Sequence, residues 1–590
     1  MVINPRVSKR RLALTVLIVF AIVAVFVVRL VDIQVVRAAD LTAAAEKRRT
    51  IPVTTYGVRG SIVDATGEVL ADSVERFDIT AAPQNVDLEN TWMTKDGVAV
   101  KVPTSEAVQA VADLTGADPT AIYQKLVADP EAPWALLVKA VTLDVFKQVR
   151  ALQIPWLYSE LHPARTYPSG AIAGNLVGFI GTDGPQAGIE IKQDKGCLGA
   201  TNGTSTYESS ADGVRLPGST IVQQQATDGG TVHLTIDADL QWYAQQVVAQ
   251  YGASLGADSG SAMIVEVKTG RIMAAADWPS VDPNNVDGVG VGDLGARVFS
   301  TPFEPGSVIK VATFASLLDQ GKITPTTHVT VPGVYTDGLP AGSSIKDSWA
   351  HSDLKLTATG VLVNSSNIGT AILSQKLSKK TRHDYLEAFG FNSDTAVDFY
   401  GESSGSVLPL DQTDAITNLT QQFGQGMSAT SAQVAGLYQT IGNGGVRMPL
   451  TLVDGCEWPD GHWSEKPSTE GLRVVSESAA DTTVQMMEMT AQEGMVKDIV
   501  KIPGYRVAAK TGTAEVAENG TYGKDRIVSV AGLIPAGDPQ YAIVVTFVKP
   551  DTMRTSAAAA PAFNAIMKQV IKTFRITPQT KGAPSLPTTW

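Results

Sequence analysis

Ser307 and Lys310 stand three residues apart in Phe303-Glu304-Pro305-Gly306-Ser307-Val308-Ile309-Lys310, ahead of the almost wholly apolar stretch 311–318. Pro-Gly delivers the chain to a helix start. The spacing sets both side chains on one face, about 5–6 Å apart between β-carbons. A serine hydroxyl is a weak nucleophile at neutral pH and needs a base. A lysine becomes that base when desolvation lowers its pKa, as a buried apolar helix would make it do. Free N–H groups at such a helix start also suit a developing oxyanion. Short patterns recur by chance, and Ser343 to Lys346 repeats this one in a Gly/Pro/Ser-rich loop with no buried helix behind it.

Two further elements could complete the chemistry. Asn364-Ser365-Ser366-Asn367 lies between two helical stretches. Residues two apart do not share a helix face, so Ser365 and Asn367 converge only if the backbone turns there; otherwise the segment is a helix cap. Ala509-Lys510-Thr511-Gly512-Thr513 reads as a strand, with Gly512 where a substrate backbone could approach and Lys510 a cation for a carboxylate or oxyanion. Alternation puts Thr511 and Thr513 on the face opposite Lys510. A second Lys-Thr-Gly at 268–270 falls between two apolar strand pieces and suits a tight hairpin. Only one S-x-x-K, S-x-N, K-T-G series falls in the contexts helix start, interhelical turn and strand.

These pieces need a scaffold. From about Thr235 the chain reads as a helix opened by Asp237, a strand over 261–267, a returning strand over 271–276, and much helical material. Strands follow near 505–512, 527–533 and 541–548. A last helix carries Phe563, Ile566, Met567, Val570 and Phe574 on one face. Strands at both ends of the domain predict one antiparallel sheet completed by its termini. Upstream, short strands near 60–70 precede helices over 104–153 and a Gly-, Thr- and Ser-rich stretch over 165–235. Residues 36–49 read as a helical stalk, and the Pro- and Thr-rich stretch after Arg575 as loose.

Residues 12–28 form an uncharged apolar run that spans roughly 25 Å as a helix. Basic residues precede it, and Arg29 and Asp32 follow where a cleavage site would be expected, so the run reads as an uncleaved anchor with a cytoplasmic N-terminus. The formal net charge of −12 argues against a nucleic-acid partner. Six histidines are scattered without an H-E-x-x-H pair, which argues against a metallopeptidase. Two cysteines, Cys197 and Cys456, fall in the region expected outside the membrane, where a bridge is permitted; spacing alone leaves the pairing open.

With Ser365-Ser366-Asn367 as its middle element, the motif series resembles that of penicillin-binding proteins and class A β-lactamases. Over nearly its whole length the chain resembles a class B penicillin-binding protein of the FtsI-type D,D-transpeptidase kind. Arg59-Gly60-Ser61-Ile62-Val63-Asp64, Arg165-Thr166-Tyr167-Pro168, Gly188-Ile189-Glu190 and Phe423-Gly424-Gln425-Gly426 carry this further. The resemblance implies an α+β architecture: a cytoplasmic tail (1–11), a transmembrane anchor (12–33), a stalk and elongated, mostly-β pedestal of the dimerisation type (34–234), a transpeptidase domain with a five-stranded antiparallel sheet (235–575), and a loose tail (576–590).

It implies that Ser307 attacks the penultimate D-Ala carbonyl of a stem peptide and Lys310 takes its proton. Ser365 and Lys510 relay protons, and Asn367 holds the substrate amide. Thr511, Gly512 and Thr513 line the substrate, and the N–H groups of Ser307 and Thr513 form an oxyanion hole. It implies no cofactor. Partners would be D-Ala-D-Ala stem peptides, β-lactams, a membrane-embedded glycan polymerase of the FtsW/RodA type and other division proteins. An elongation-type enzyme, a β-lactamase and a penicillin sensor share parts of the pattern. A β-lactamase needs no pedestal, and a sensor should carry several membrane helices.

Overall fold

The computed structural model describes residues 5–132, 134–161, 163–181, 183–208, 216–518, 521–579 and 581–590. The chain divides into two compact units, residues 1–58 with 200–228 and residues 59–199 with 229–590. In the first, helix Pro5–Val31 runs into a π-helical turn, Asp32–Val36, and a second helix, Ala38–Arg49, follows. Lys9–Val36 is long and apolar enough to cross a membrane, and its apolar side chains are exposed. Thr50–Thr55 then pairs antiparallel with Gly203–Glu208, which pairs with Ile221–Gln224.

In the second unit three of the segments that carry the resemblance meet. Arg59 and Arg165 both pair with the fully buried Glu190, at 2.8 and 2.6 Å. Asp64 caps two structures at once. One carboxylate oxygen accepts from Thr66 and Glu68 in its own turn, and the other accepts the Ala238 N–H at the first turn of helix Ala238–Leu255. Strand Thr231–Leu234, which ends at the expected 234/235 boundary, pairs with both Ile62–Val63 and Val453–Glu457. Cys197 and Cys456 are disulfide-bonded there, with Cα atoms 5.7 Å apart.

One stretch differs from the helical expectation for 104–153. Helices Thr104–Thr115, Pro119–Val127 and Leu143–Ala151 form, but Ala135–Thr142 is a strand beside Arg76–Ala81. Short apolar runs are ambiguous by periodicity alone, and pairing decides them.

The five-stranded antiparallel sheet is present. Its strands are β1 (Ser259–Glu266), β2 (Ile272–Trp278), β3 (Ala508–Glu518), β4 (Thr521–Ile534) and β5 (Tyr541–Val548), in the order β2-β1-β5-β4-β3. Helices cover both faces, which explains why β5 reads as a nearly unbroken apolar run, interrupted at Thr546, rather than an alternating one. Ala542 and Val544 join one core, and Ile543, Val545 and Phe547 the other. The first face packs on helix Ser431–Gly442, every residue of which is buried. The second packs on helices Ala238–Leu255 and Ala560–Thr573.

Residues 576, 579 and 586–590, in the stretch 576–590 expected to be loose, are docked instead. Tyr505 donates to the Ile576 carbonyl and Gln579 to that of Gly504. Leu586 packs against the main core, and Thr589 bridges to Leu356. Leu586 and Trp590 supply apolar contacts that a Pro- and Thr-rich composition does not reveal.

Candidate active site

Ser307 lies in a 3-10 turn, Gly306–Ile309, that runs into helix Lys310–Asp319. Backbone fit sets its position. The Gly306 N–H donates to the Gly424 carbonyl at 3.0 Å, and both glycines have positive φ, +59° and +85°. A β-carbon on Gly424 would lie 2.1 Å from the Gly306 oxygen, and one on Gly306 would lie 2.8 Å from the Thr513 oxygen. Side chains at either position would force apart the serine turn, the Phe423-Gly424-Gln425-Gly426 loop and β3. That accounts physically for the glycines of two of the sequence segments.

Lys310 is fully buried. Its Nζ donates to the Ser365 carbonyl and, at 2.8 Å, to Asn367 Oδ1, with Ser365 Oγ at 3.4 Å. Ser365 adopts a left-handed conformation, φ +55°, at the turn between helices Ala358–Val363 and Asn367–Ser374. That turn resolves the geometric question raised by the S-x-N spacing, because it brings Ser365 and Asn367 to one lysine. The cap reading is also correct, but for the middle residue: Ser366 Oγ accepts from Gly369 N.

From the sheet, Lys510 reaches the same hydroxyl, donating to Ser365 Oγ at 2.8 Å and to the Thr511 carbonyl at 3.0 Å. Lys510 is buried, whereas Thr511 is partly and Thr513 more fully exposed, as strand alternation requires. Gly512 faces inward, where a β-carbon would lie 2.4 Å from Ser529 Oγ and 3.0 Å from the Pro305 oxygen. Among the described residues Ser307 Oγ makes no hydrogen bond. Catalytic contacts of this kind often tighten only when substrate is present.

Neither lysine has a carboxylate partner within 4 Å among the described residues. Burial drives Lys310 well below its ordinary pKa, helped by the charge of Lys510 and opposed by Asp347. Burial alone lowers Lys510 to about 7. In both, burial shifts the balance toward the neutral form. Glu304, just before the serine turn, is pushed upward by burial; it accepts from Gly426 N and from Tyr522 Oη, each at 2.9 Å.

The two decoys separate from the site. Lys268 is exposed in the β1–β2 hairpin, closed by Gly270 at φ +78°. Ser343 lies in the loop before Lys346, whose side chain is exposed and whose carbonyl accepts from Asn367 Nδ2 at 3.2 Å. The residue after it was not singled out by sequence. The Asp347 side chain is completely buried, and its carboxylate accepts from Asn367 N at 2.5 Å, Ile368 N at 3.0 Å and Ser366 Oγ at 2.7 Å. His351 Nε2 pairs with it at 3.1 Å. An acidic residue about twenty positions before an S-x-N segment was the available signal, and it is a weak one.

Residues 260–568 match the family model for the penicillin binding protein transpeptidase domain, and residues 54–234 match that for the penicillin-binding protein dimerisation domain. Penicillin-binding protein PbpB of Mycobacterium tuberculosis is 34% identical, over 93% of this chain and 83% of that protein. Peptidoglycan D,D-transpeptidase FtsI of Escherichia coli K12 is 31% identical, over 88% and 84%. Among solved structures, a peptidoglycan synthetase from Bifidobacterium adolescentis superposes with a TM-score of 0.73 at 30% identity, over 92% of this chain and all of the other. Penicillin binding protein 3 of M. tuberculosis in complex with aztreonam gives 0.69 at 28%, over 91% and 100%.

Proposed function

Because the chain belongs to the penicillin-binding protein transpeptidase family, we propose that it is a serine-type peptidoglycan D,D-transpeptidase. It cross-links stem peptides during septal wall synthesis and is acylated by β-lactams. The observation that carries the mechanism is the Ser365 hydroxyl held between two buried lysines, both with pKa lowered by burial. Ser307 attacks the penultimate D-Ala carbonyl, its proton passes to Lys310 and on to the amide nitrogen of the terminal D-Ala, and the C–N bond breaks to leave the ester and free D-Ala. An amine of a second stem then attacks the ester, with Ser365 and Lys510 relaying its proton. Asn367, held through Lys310, receives the substrate amide. Thr511 and Thr513, on the open face of β3, take the substrate carboxylate, and the N–H groups of Ser307 and Thr513 stabilise the oxyanion.

Residues 34–234 serve as stalk and pedestal and 235–575 as the catalytic domain. The N-terminal helix is a single-pass anchor with its N-terminus in the cytoplasm and the catalytic domain outside. A glycan polymerase of the FtsW/RodA type would supply the strands to be joined. The test is covalent labelling by a fluorescent penicillin, followed by peptide mapping. Label on Ser307, and none in Ser307→Ala with its thermal transition kept, supports the reading; label on Ser343 refutes it. Septal enrichment of a fluorescent fusion separates the division role from side-wall elongation.

A further inference from the structure

The helix that ends in the catalytic turn is short. Ala358–Val363 has six residues, roughly 9 Å of rise, and Ser365 follows two residues later. The turn that follows it and the start of the next helix are held by the lysines and by Asp347. The first turn of Ala358–Val363 is fixed by a segment more than two hundred residues away in sequence.

Residues 586–590 lie along the edge of the two-stranded ribbon His328–Val331/Leu354–Thr357, adding an antiparallel bridge from Thr589 to Leu356. The Thr357 N–H donates to the Thr588 carbonyl at 3.1 Å, and Thr357 Oγ1 donates to the Pro587 carbonyl at 2.6 Å. The same hydroxyl accepts from Gly360 N at 3.0 Å as the N-cap of the helix. One threonine oxygen thus joins the segment to the helix. Gly360 completes the fit, since a β-carbon there would lie 1.8 Å from the Thr588 oxygen. Trp590 anchors the far end: its ring stacks on His328 with centroids 4.4 Å apart, and Lys355 Nζ lies 5.0 Å from the ring centroid.

We propose that residues 586–590 form a strap that positions the Ser365–Asn367 turn for acylation, by clamping the first turn of helix Ala358–Val363 through Thr357 and Gly360. A six-residue helix behaves as a rigid rod, so a shift at its first turn is passed to its last. The lysines fix where Ser365 must be, and the strap fixes the rod that delivers it. Trp590, Thr588 and Thr357 are positioning residues in this scheme and do not touch substrate.

The inference rests on Ser307 acylation as the reaction. The full-length protein in detergent is compared with a chain ending at Ser585 and with Trp590→Ala and Gly360→Ala. Gly360→Ala is informative because alanine favours the helix locally while its methyl group displaces the strap. Stopped-flow labelling with a fluorescent penicillin separates the binding constant from the acylation rate constant. The expected result is a rate constant reduced about ten- to a hundredfold in the shortened chain and Gly360→Ala, with binding within about twofold, and a smaller loss in Trp590→Ala. That rate constant belongs to each folded molecule. A segment that only stabilised the fold would lower the melting temperature and the labelled amplitude but leave the rate constant unchanged, and that outcome overturns the proposal. Trp590→Ala keeps the test available if the shortened chain does not fold. Labelling of the wild type at a serine other than Ser307 would overturn the functional reading instead.

Discussion

Replacing Asp347 should slow acylation, destabilise the protein and shift the pH profile downward, a combination that isolates its role. Its carboxylate is the sole acceptor shown for two N–H groups at the start of helix Asn367–Ser374, and it also receives Ser366 Oγ and His351. Asp347→Ala strands those donors behind the catalytic turn. Each buried donor left unpaired costs about 1–3 kcal/mol. Loss of a negative charge at a helix N-terminus adds about 0.3–1 kcal/mol. Water entering the gap recovers part of this, leaving a net loss of about 3 kcal/mol, or about 3–4 °C in melting temperature for a unit of this size.

The electrostatic sign is independent of that loss. The charge of Asp347 raises the pKa of Lys310 against burial and Lys510, which lower it. Without Asp347 the Lys310 pKa falls further, so the neutral base is available at lower pH. Stopped-flow acylation at a series of pH values should therefore show an acid limb moved to lower pH, on a reduced plateau. Asp347→Asn removes the charge at nearly constant volume and should move the limb in the same direction. A limb that stays in place or moves up in both variants would refute the assignment of Lys310 as the base.

The two Lys-Thr-Gly copies should respond differently: Lys268→Ala leaves the acylation rate within a few-fold of wild type, since exposed changes usually cost under about 0.5 kcal/mol, whereas Lys510→Ala lowers it by about 100-fold or more. The Lys510 pKa of about 7 lies below that of an unfolded lysine. The unfolded chain therefore binds more protons between roughly pH 7 and 10, and this group's contribution makes stability rise with pH across that window. Lys510→Met should flatten that rise in melting temperature and raise stability at its acid end. Thiol titration of the denatured, unreduced protein should find no free cysteine, and Cys197→Ser/Cys456→Ser should cost about 2–5 kcal/mol against a bridge that closes a long loop.

What the sequence revealed was local. Ser307 with Lys310, and Lys510 with the exposed Thr511 and Thr513, follow from spacing along one helix or strand, where geometry is fixed by a few bonds. The meeting of Ser365 and Asn367 required a left-handed residue that no spacing rule supplies. Asp347 left only a weak signal because its partners lie some twenty residues on, and the docked stretch 586–590 left none because composition reports average behaviour while Leu586 and Trp590 act singly. Long-range effects also decide the chemistry. The residue types at 310 and 510 are plain in the sequence, but a lysine is a poor base until buried, and burial here comes from three separate pieces of chain. Lys510 comes from the sheet and Lys310 from the central helix. Ser365 reaches both because Asp347 holds the turn from the side of helix Asn367–Ser374 and Thr357 caps helix Ala358–Val363 on the other. A change at any of these supports alters how dry and how close the two amines are, so their effects on rate should be non-additive. The Asp347→Asn and Gly360→Ala variants, combined, provide that measurement. If the two losses add within about 0.5 kcal/mol, the supports act independently and the short helix does not transmit force between them.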